Sequence, residues 1–234
     1  MKNKFLAISA HPDDLDFTCA GTISKMAQEN NEVFYLIISD GSKGSHKVKF
    51  SSKKLAKIRQ TEQKRAANVL GVNNVFFLGL KDGEIENTQF LRKKIVQIIR
   101  KVKPEIILSF DPANHSFDNP HRFHRDHRQT AEAVFDSIYP AAGSASFFPE
   151  LLKQGYQPHQ IKEIWFFATE KPNKFIDITQ TIDKKIEALS QHSSQIADLK
   201  AIENKVRAWS KIAGKKKGYR YAEFFRMLKF KNGS

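Results

Sequence analysis

Four short apolar runs in the first half of the chain, separated by segments with a helical period, leave few folds open. They are Phe5–Ser9, Val33–Ser39, Val75–Leu78 and Glu105–Phe110, rich in branched side chains and bounded by polar loop residues. Unbroken apolar runs of this length suit strands covered on both faces, as in a parallel sheet; a strand with one wet face would alternate. Between them, Phe17–Glu29 contains Thr22, Ile23, Met26 and Ala27, and Lys53–Leu70 sets Leu55, Ile58, Ala66, Val69 and Leu70 on a rough stripe that Gly71 stops. Thr88–Lys101 repeats Phe90, Leu91, Ile95, Ile98 and Ile99 at three- and four-residue spacing. Such alternation predicts an α/β fold: a doubly wound, mostly parallel, Rossmann-like sheet with right-handed crossovers.

The second half is less regular. Asp111–Arg125 reads as a long polar loop, followed by a helix from about Asp126 to Ser137 and an irregular excursion over Tyr139–Gln160. Glu163–Thr169 and Lys174–Ile178 read as two late strands, with antiparallel pairing one option, and Thr179–Ser193 as a helix with Thr179 or Thr181 as its cap. Gly214–Tyr219 breaks the next helix before a basic, aromatic tail. No repeat or linker divides the chain, so residues 1–234 are expected to form one domain, long enough to bury a sizeable core.

Composition narrows the function classes. Cys19 is the sole cysteine, which excludes an internal disulfide and a cysteine-based metal site and fits a reducing, cytoplasmic setting. The first apolar run is too short for a signal-peptide core, and no run approaches the ~20 apolar residues of a membrane span. The formal charge is +14, with lysine-rich stretches at Lys47–Lys57, Arg92–Lys103 and Lys211–Lys231. Either an acidic partner or a solvated lysine-rich surface would account for it, and the second reading weighs more because charge alone says little about partners. Without a Cys/His finger spacing or an RNA-binding aromatic motif, no nucleic-acid partner is expected.

In a doubly wound sheet, ligands bind beyond the carboxyl ends of the strands. Three polar segments fall there: Ala10-His-Pro-Asp-Asp14, Asp40-Gly-Ser-Lys-Gly44 and Asp111–His127. His11-Pro-Asp-Asp14 would make a good solvated turn, but two adjacent carboxylates in one cleft repel, and a cation would relieve them. Neighbouring residues of an extended turn point apart, so one aspartate would bind metal and the other handle protons. His124-Arg-Asp-His127, at the start of a helix, can bring His124 and His127 to one side. Catalytic zinc commonly takes three protein groups and a water, so two histidines opposite an HPDD loop in a cysteine-poor chain point to a metal site.

These motifs make the chain resemble the PIG-L/LmbE-like N-deacetylases. The first signature appears as Ala10-His-Pro-Asp-Asp-Leu-Asp16 with Cys19-Ala-Gly-Thr-Ile23, the second as His124-Arg-Asp-His127. Weaker matches follow in family order: Arg59-Gln-Thr-Glu62, Leu78-Gly-Leu-Lys-Asp82, His192-Ser-Ser-Gln195 and Tyr221-Ala-Glu-Phe224. The resemblance implies a Zn2+ site (or another divalent metal) on His11, Asp14 and His127, and a catalytic set of Asp13, His124 and Asp126. Asp13 would be the general base, a cationic His124 would steady the oxyanion, and Asp126 would orient an imidazole and favour that cation. Arg59 and Asp82 would contact sugar hydroxyls. The implied reaction removes an acetyl group from the amide nitrogen of an N-acetylated amino sugar or conjugate, an anionic one if the basic charge has a purpose. Asp16 stands where the family often has Glu, and Lys43 where its loop is usually acidic.

The rival reading is a basic nucleic-acid- or anionic-membrane-binding protein on an inactive α/β fold. Arg59 and Glu62, three apart, would by default be a helix ion pair. His46 and His159 read as solvated, His115 and His121 as either cleft or surface, and His192 as either a support to the site or a helix-end residue.

Overall fold

The computed structural model describes residues 2–44, 51–117 and 119–230; His46 and part of the first lysine stretch lie outside them. Seven strands form one sheet in the order β3-β2-β1-β4-β5-β7-β6. Strands β1 (Lys4–Ser9), β2 (Glu32–Ser39), β3 (Asn74–Leu80), β4 (Ile106–Phe110) and β5 (Glu163–Phe167) are mutually parallel. The expected doubly wound fold is the observed one.

Helices α1 (Asp14–Thr18), α2 (Ala20–Gln28), α3 (Ser52–Leu70), α4 (Gln89–Val102) and α5 (Arg125–Asp136) alternate with these strands. Side-chain caps start three of them, Ser51 accepting from the Lys54 amide, Thr88 from that of Leu91 and His124 from that of Asp126, while Gly71 at φ 79° ends α3. Leu6, Ile8, Leu36 and Ile37 are fully buried in the main cluster under the sheet, each contributing roughly 1.5–3 kcal/mol of apolar transfer.

Two expectations change. The helix read over Phe17–Glu29 is two helices, because Cys19 leaves the helical region at φ −138° and a new N-terminus begins. The Glu223 carboxylate caps that N-terminus, accepting from the amides of Gly21 (3.0 Å) and Thr22 (2.7 Å). The two late strands, β5 and β6 (Lys174–Asp177), are not partners. A strand unseen in the sequence, β7 (Ala222–Lys229), lies between them and is antiparallel to both. The irregular stretch holds a short α6 (Pro149–Lys153), and α7 (Ile182–Ser190) and α8 (Leu199–Lys215) complete the chain.

Strand order reverses between β1 and β4: β2 and β3 extend to one side of β1, and β5 lies on the far side of β4. The crevice at this switch point opens beyond the last residues of β1 and β4. His11 leaves one of these ends, and the loop to His127 leaves the other.

Candidate active site

Pro12 and the Asp13 backbone at φ 85° turn the chain sharply after β1, and the Asp13 carbonyl then accepts from the amides of Asp16 and Phe17 to start α1. The turn folds Asp14 back, so that its Oδ2 accepts the His11 amide at 2.7 Å. From across the crevice, the first turn of α5 delivers His127. His11 Nδ1 lies 3.3 Å from His127 Nε2 and 3.4 Å from Asp14 Oδ2, and His127 Nε2 lies 3.2 Å from Asp14 Oδ1. Ligands placed about 2.0–2.1 Å from a tetrahedral ion stand about 3.3 Å apart. The three groups converge at about the spacing zinc ligands take, with Asp14 meeting His11 through Oδ2 and His127 through Oδ1.

The outward nitrogens of both imidazoles are tied. His127 Nδ1 donates to the His121 carbonyl at 2.7 Å, and its ring stacks on Phe110 at 4.2 Å between centroids. His11 Nε2 faces Asp82 Oδ1 at 3.1 Å and Asp126 Oδ2 at 3.2 Å. Such carboxylate–histidine pairs fix the tautomer that leaves the inward nitrogen bare. Groups of possible ligands also join His124 to His11 and His127, and Asp82 and Asp126 to His11. Asp82 and Asp126 meet the other edge of His11 and already accept backbone amides, from Lys43 (2.9 Å) and Gly83 (2.7 Å) respectively. His124 Nδ1 accepts the Asp126 amide at 3.2 Å as the cap of α5. In the Asp14 set, Oδ1 faces His127 Nε2, whereas Oδ2 faces His11 Nδ1 and also accepts the His11 amide.

Charge follows this geometry. Burial opposes a proton on His11, but Asp126, Asp14 and Asp82 together raise its pKa well above the usual imidazole value. Burial likewise opposes ionisation of Asp14, and the neighbouring His127 and His11 hold its carboxyl well below the ordinary range. Asp13 goes the other way: burial and Asp14 outweigh the Arg59 guanidinium and lift it to about 6. Two adjacent aspartates thus have opposite tendencies, one to stay ionised among imidazoles and one to trade a proton near neutrality.

Several residues sit differently from expectation. The Asp126 carboxylate is fully buried on His11 and makes no bond to the His124 ring. His124 is exposed; desolvation and the nearby His11 and His127 lower its pKa, and the capping bond to Nδ1 places its proton on Nε2. These neighbours work against the cation expected on His124. Arg59, expected at sugar hydroxyls, is 3 % exposed and clamps the loops, with Nη1 on the Gly41 carbonyl (2.9 Å) and Nη2 on the Pro12 carbonyl (2.6 Å) and Asp13 Oδ2 (3.1 Å). Asp82, likewise expected at hydroxyls, is held by His11 and the Lys43 amide; burial would raise its pKa, but these bonds hold it at about 2. Arg59 and Glu62 form no pair, since Glu62 binds Ser193 and Ser194. His192 is fully buried against Asp16, and His159 Nε2 donates to the Pro104 carbonyl at 2.7 Å. Phe110 and Gln63 gave no motif signal, although Phe110, as the last residue of β4, could have been found by its place at the strand end.

Beside His127, a cavity of about 320 Å³ opens between α5 and the loop after β4, lined by Phe110, His115, Phe117, Arg122, Phe123 and Arg128 among others. His115 thus reaches the cleft, whereas His121 contributes its carbonyl.

The chain is similar to several known proteins. Residues 6–138 match the PIG-L family model, described as GlcNAc-PI de-N-acetylase. The chain is 36% identical over 227 residues to diacetylchitobiose deacetylase of Thermococcus kodakarensis, covering 96% of this chain and 83% of that protein. It is 28% identical over 206 residues to a probable N-acetyl-alpha-D-glucosaminyl L-malate deacetylase 2 of Bacillus anthracis, covering 84% of each. The crystal structure of N,N'-diacetylchitobiose deacetylase from Pyrococcus horikoshii superposes with a TM-score of 0.90 at 32% identity, covering 97% of this chain and 84% of that one.

Proposed function

The chain belongs to the PIG-L family, and from that premise we propose that it is a zinc-dependent N-deacetylase, one domain over residues 1–234, acting on N-acetylated amino sugars. The observation that carries this reading is the triangle of His11, Asp14 and His127 at 3.2–3.4 Å, next to an aspartate whose pKa is raised to about 6. Zinc held by these three residues would acidify a water and polarise the amide carbonyl. Asp13, kept by Arg59 beside the site, takes the proton of the attacking water and returns it to the amide nitrogen as the C–N bond breaks, releasing acetate and a free amine. His124 directs its Nε2–H at the oxygen on which negative charge develops. Asp126 and Asp82 hold the His11 ring square to the site.

The cavity beside His127 houses the rest of the substrate. Phe117 and Phe123, stacked on each other at 4.1 Å, offer an aromatic wall to a pyranose ring, and Arg128 offers a cationic edge to a carboxylate or phosphate on a conjugate. No helix among the described residues is long and apolar enough to cross a membrane, and the buried Cys19 fits a cytoplasmic enzyme.

The test is direct. Metal-loaded protein is incubated with N-acetylglucosamine, N,N'-diacetylchitobiose and acidic N-acetylglucosamine conjugates, and primary amine is followed. The protein should hold about one zinc, and Asp13→Ala should keep it while losing the activity. A fully zinc-loaded protein that releases no amine from any of them refutes the reading.

A further inference from the structure

Asp13 is gripped at both ends by one face of α3. Arg59 reaches its carboxylate at 3.1 Å, and Gln63, one turn further on, accepts its backbone N–H through Oε1 at 2.8 Å. Gln63 is itself fully buried, and its orientation is dictated from behind: Nε2 donates to Asp16 Oδ2 at 2.8 Å, so Oε1 must face Asp13. That same Asp16 oxygen meets His192 Nε2 at 2.7 Å, and the His192 loop is moored to α3 by Glu62, which accepts from the Ser193 hydroxyl and from the amide and hydroxyl of Ser194.

The chain of contacts ends on the most improbable backbone of the site. Asp13 sits at φ 85°, in the left-handed region that a side chain disfavours, and such conformations persist only where the surroundings over-determine them. The relay also carries a penalty. Asp16 Oδ1 and His192 Nδ1 are buried and have no partner among the described residues. Apolar side chains of similar volume would fill this interior without that cost, so packing alone does not account for the polar set.

We propose that Gln63, locked by Asp16 and His192, is a positioning residue that holds the Asp13 carboxylate at its working place. The inference rests on Asp13 being the proton carrier of the proposed deacetylation. Its shift by about 1 Å would slow the chemical step by roughly two orders of magnitude without touching the groups that bind metal.

Gln63→Met keeps the volume and removes both hydrogen bonds. In the zinc-loaded enzyme it should lower kcat about 10- to 100-fold with KM within about twofold and zinc content unchanged. Its crystal structure should show the Asp13 carboxylate displaced from Arg59. The paired variant Gln63→Glu with Asp16→Asn reverses the donor and acceptor between these two residues, with the His192 proton moved to Nδ1 so that Nε2 accepts from the same carboxamide introduced at position 16, and still offers Asp13 an acceptor. It should recover most of the kcat that Gln63→Glu alone loses, which a loss of packing would not predict. Wild-type kcat in Gln63→Met, loss of zinc in step with kcat, or no recovery in the pair overturns the inference. Asp13→Ala run alongside separates the two claims. Full activity there overturns the assignment of the base and this inference with it, whereas an inactive Asp13→Ala beside a fully active Gln63→Met overturns the inference alone.

Discussion

Replacing Asp126 by Asn removes one charge and one acceptor while keeping the shape of a fully buried side chain. Oδ2 serves both His11 Nε2 at 3.2 Å and the Gly83 amide at 2.7 Å, and Oδ1 lies 3.4 Å from the Ile85 amide. Asn has a single acceptor oxygen, so either His11 or a backbone amide loses its partner. A buried unpaired N–H costs about 1–3 kcal/mol of stability. Loss of a carboxylate behind a metal-binding imidazole typically weakens the metal 10- to 100-fold, about 1.4–2.7 kcal/mol. Asp82 still faces His11 at 3.1 Å, so the lower end, about tenfold, is expected. Chelator competition measures the zinc affinity, and NMR titration of metal-free protein measures His11. Burial works against a proton on that ring, and the Asp126 bond is the largest influence raising its pKa, so the variant should titrate at lower pH. Because the folded pKa is raised, His11 stabilises the metal-free wild type fully below the unfolded value of about 6.5, and this is lost as pH rises through the folded pKa. The stability deficit of Asp126→Asn should therefore be larger in acid than in alkali. Unchanged zinc affinity together with an unchanged His11 titration would refute the claim that Asp126 works through His11.

Three further outcomes follow from the same geometry. With Asp13 raised to about 6, kcat/KM should rise through that pH as the carboxylate ionises and fall away below it; a pH profile flat from 5 to 7 would count against Asp13 as base. Zinc binding must displace the proton that the carboxylates around His11 favour, so calorimetry in buffers of different ionisation enthalpy should detect proton release, and affinity should weaken as pH falls. Lys185 and Glu223 form a buried pair at 2.6 Å, each side chain 4 % exposed; Lys185→Met leaves the Glu223 carboxylate with the Gly21 and Thr22 amides alone and should cost about 1.5–3 kcal/mol in thermal unfolding, with the loss shrinking when Glu223→Gln is added.

Much of the fold and of the site was legible in the chain. Apolar runs bounded by loops predict parallel strands because burial on both faces acts residue by residue, and β1, β2, β3 and β4 formed at the expected places. The HPDD and HRDH segments stood out because their residue types have few roles away from a cation. Strand β7 escaped notice because its burial does not alternate cleanly along Ala222–Lys229, and its value as a strand comes from partners far away in the sequence.

What only the tertiary structure decided is where each charged group spends its interactions. The sequence placed Asp126 beside His124, its near neighbour, yet the folded chain sets its carboxylate on His11, 115 residues away. Arg59 is turned inward for the same reason: a buried guanidinium must be paired, and the partners within reach are the Gly41 and Pro12 carbonyls and Asp13. Local pattern determines elements because backbone and burial preferences repeat along the chain. Polar pairing in a crevice is determined by distance in space, which the chain acquires only when β1 and β4 come to lie side by side.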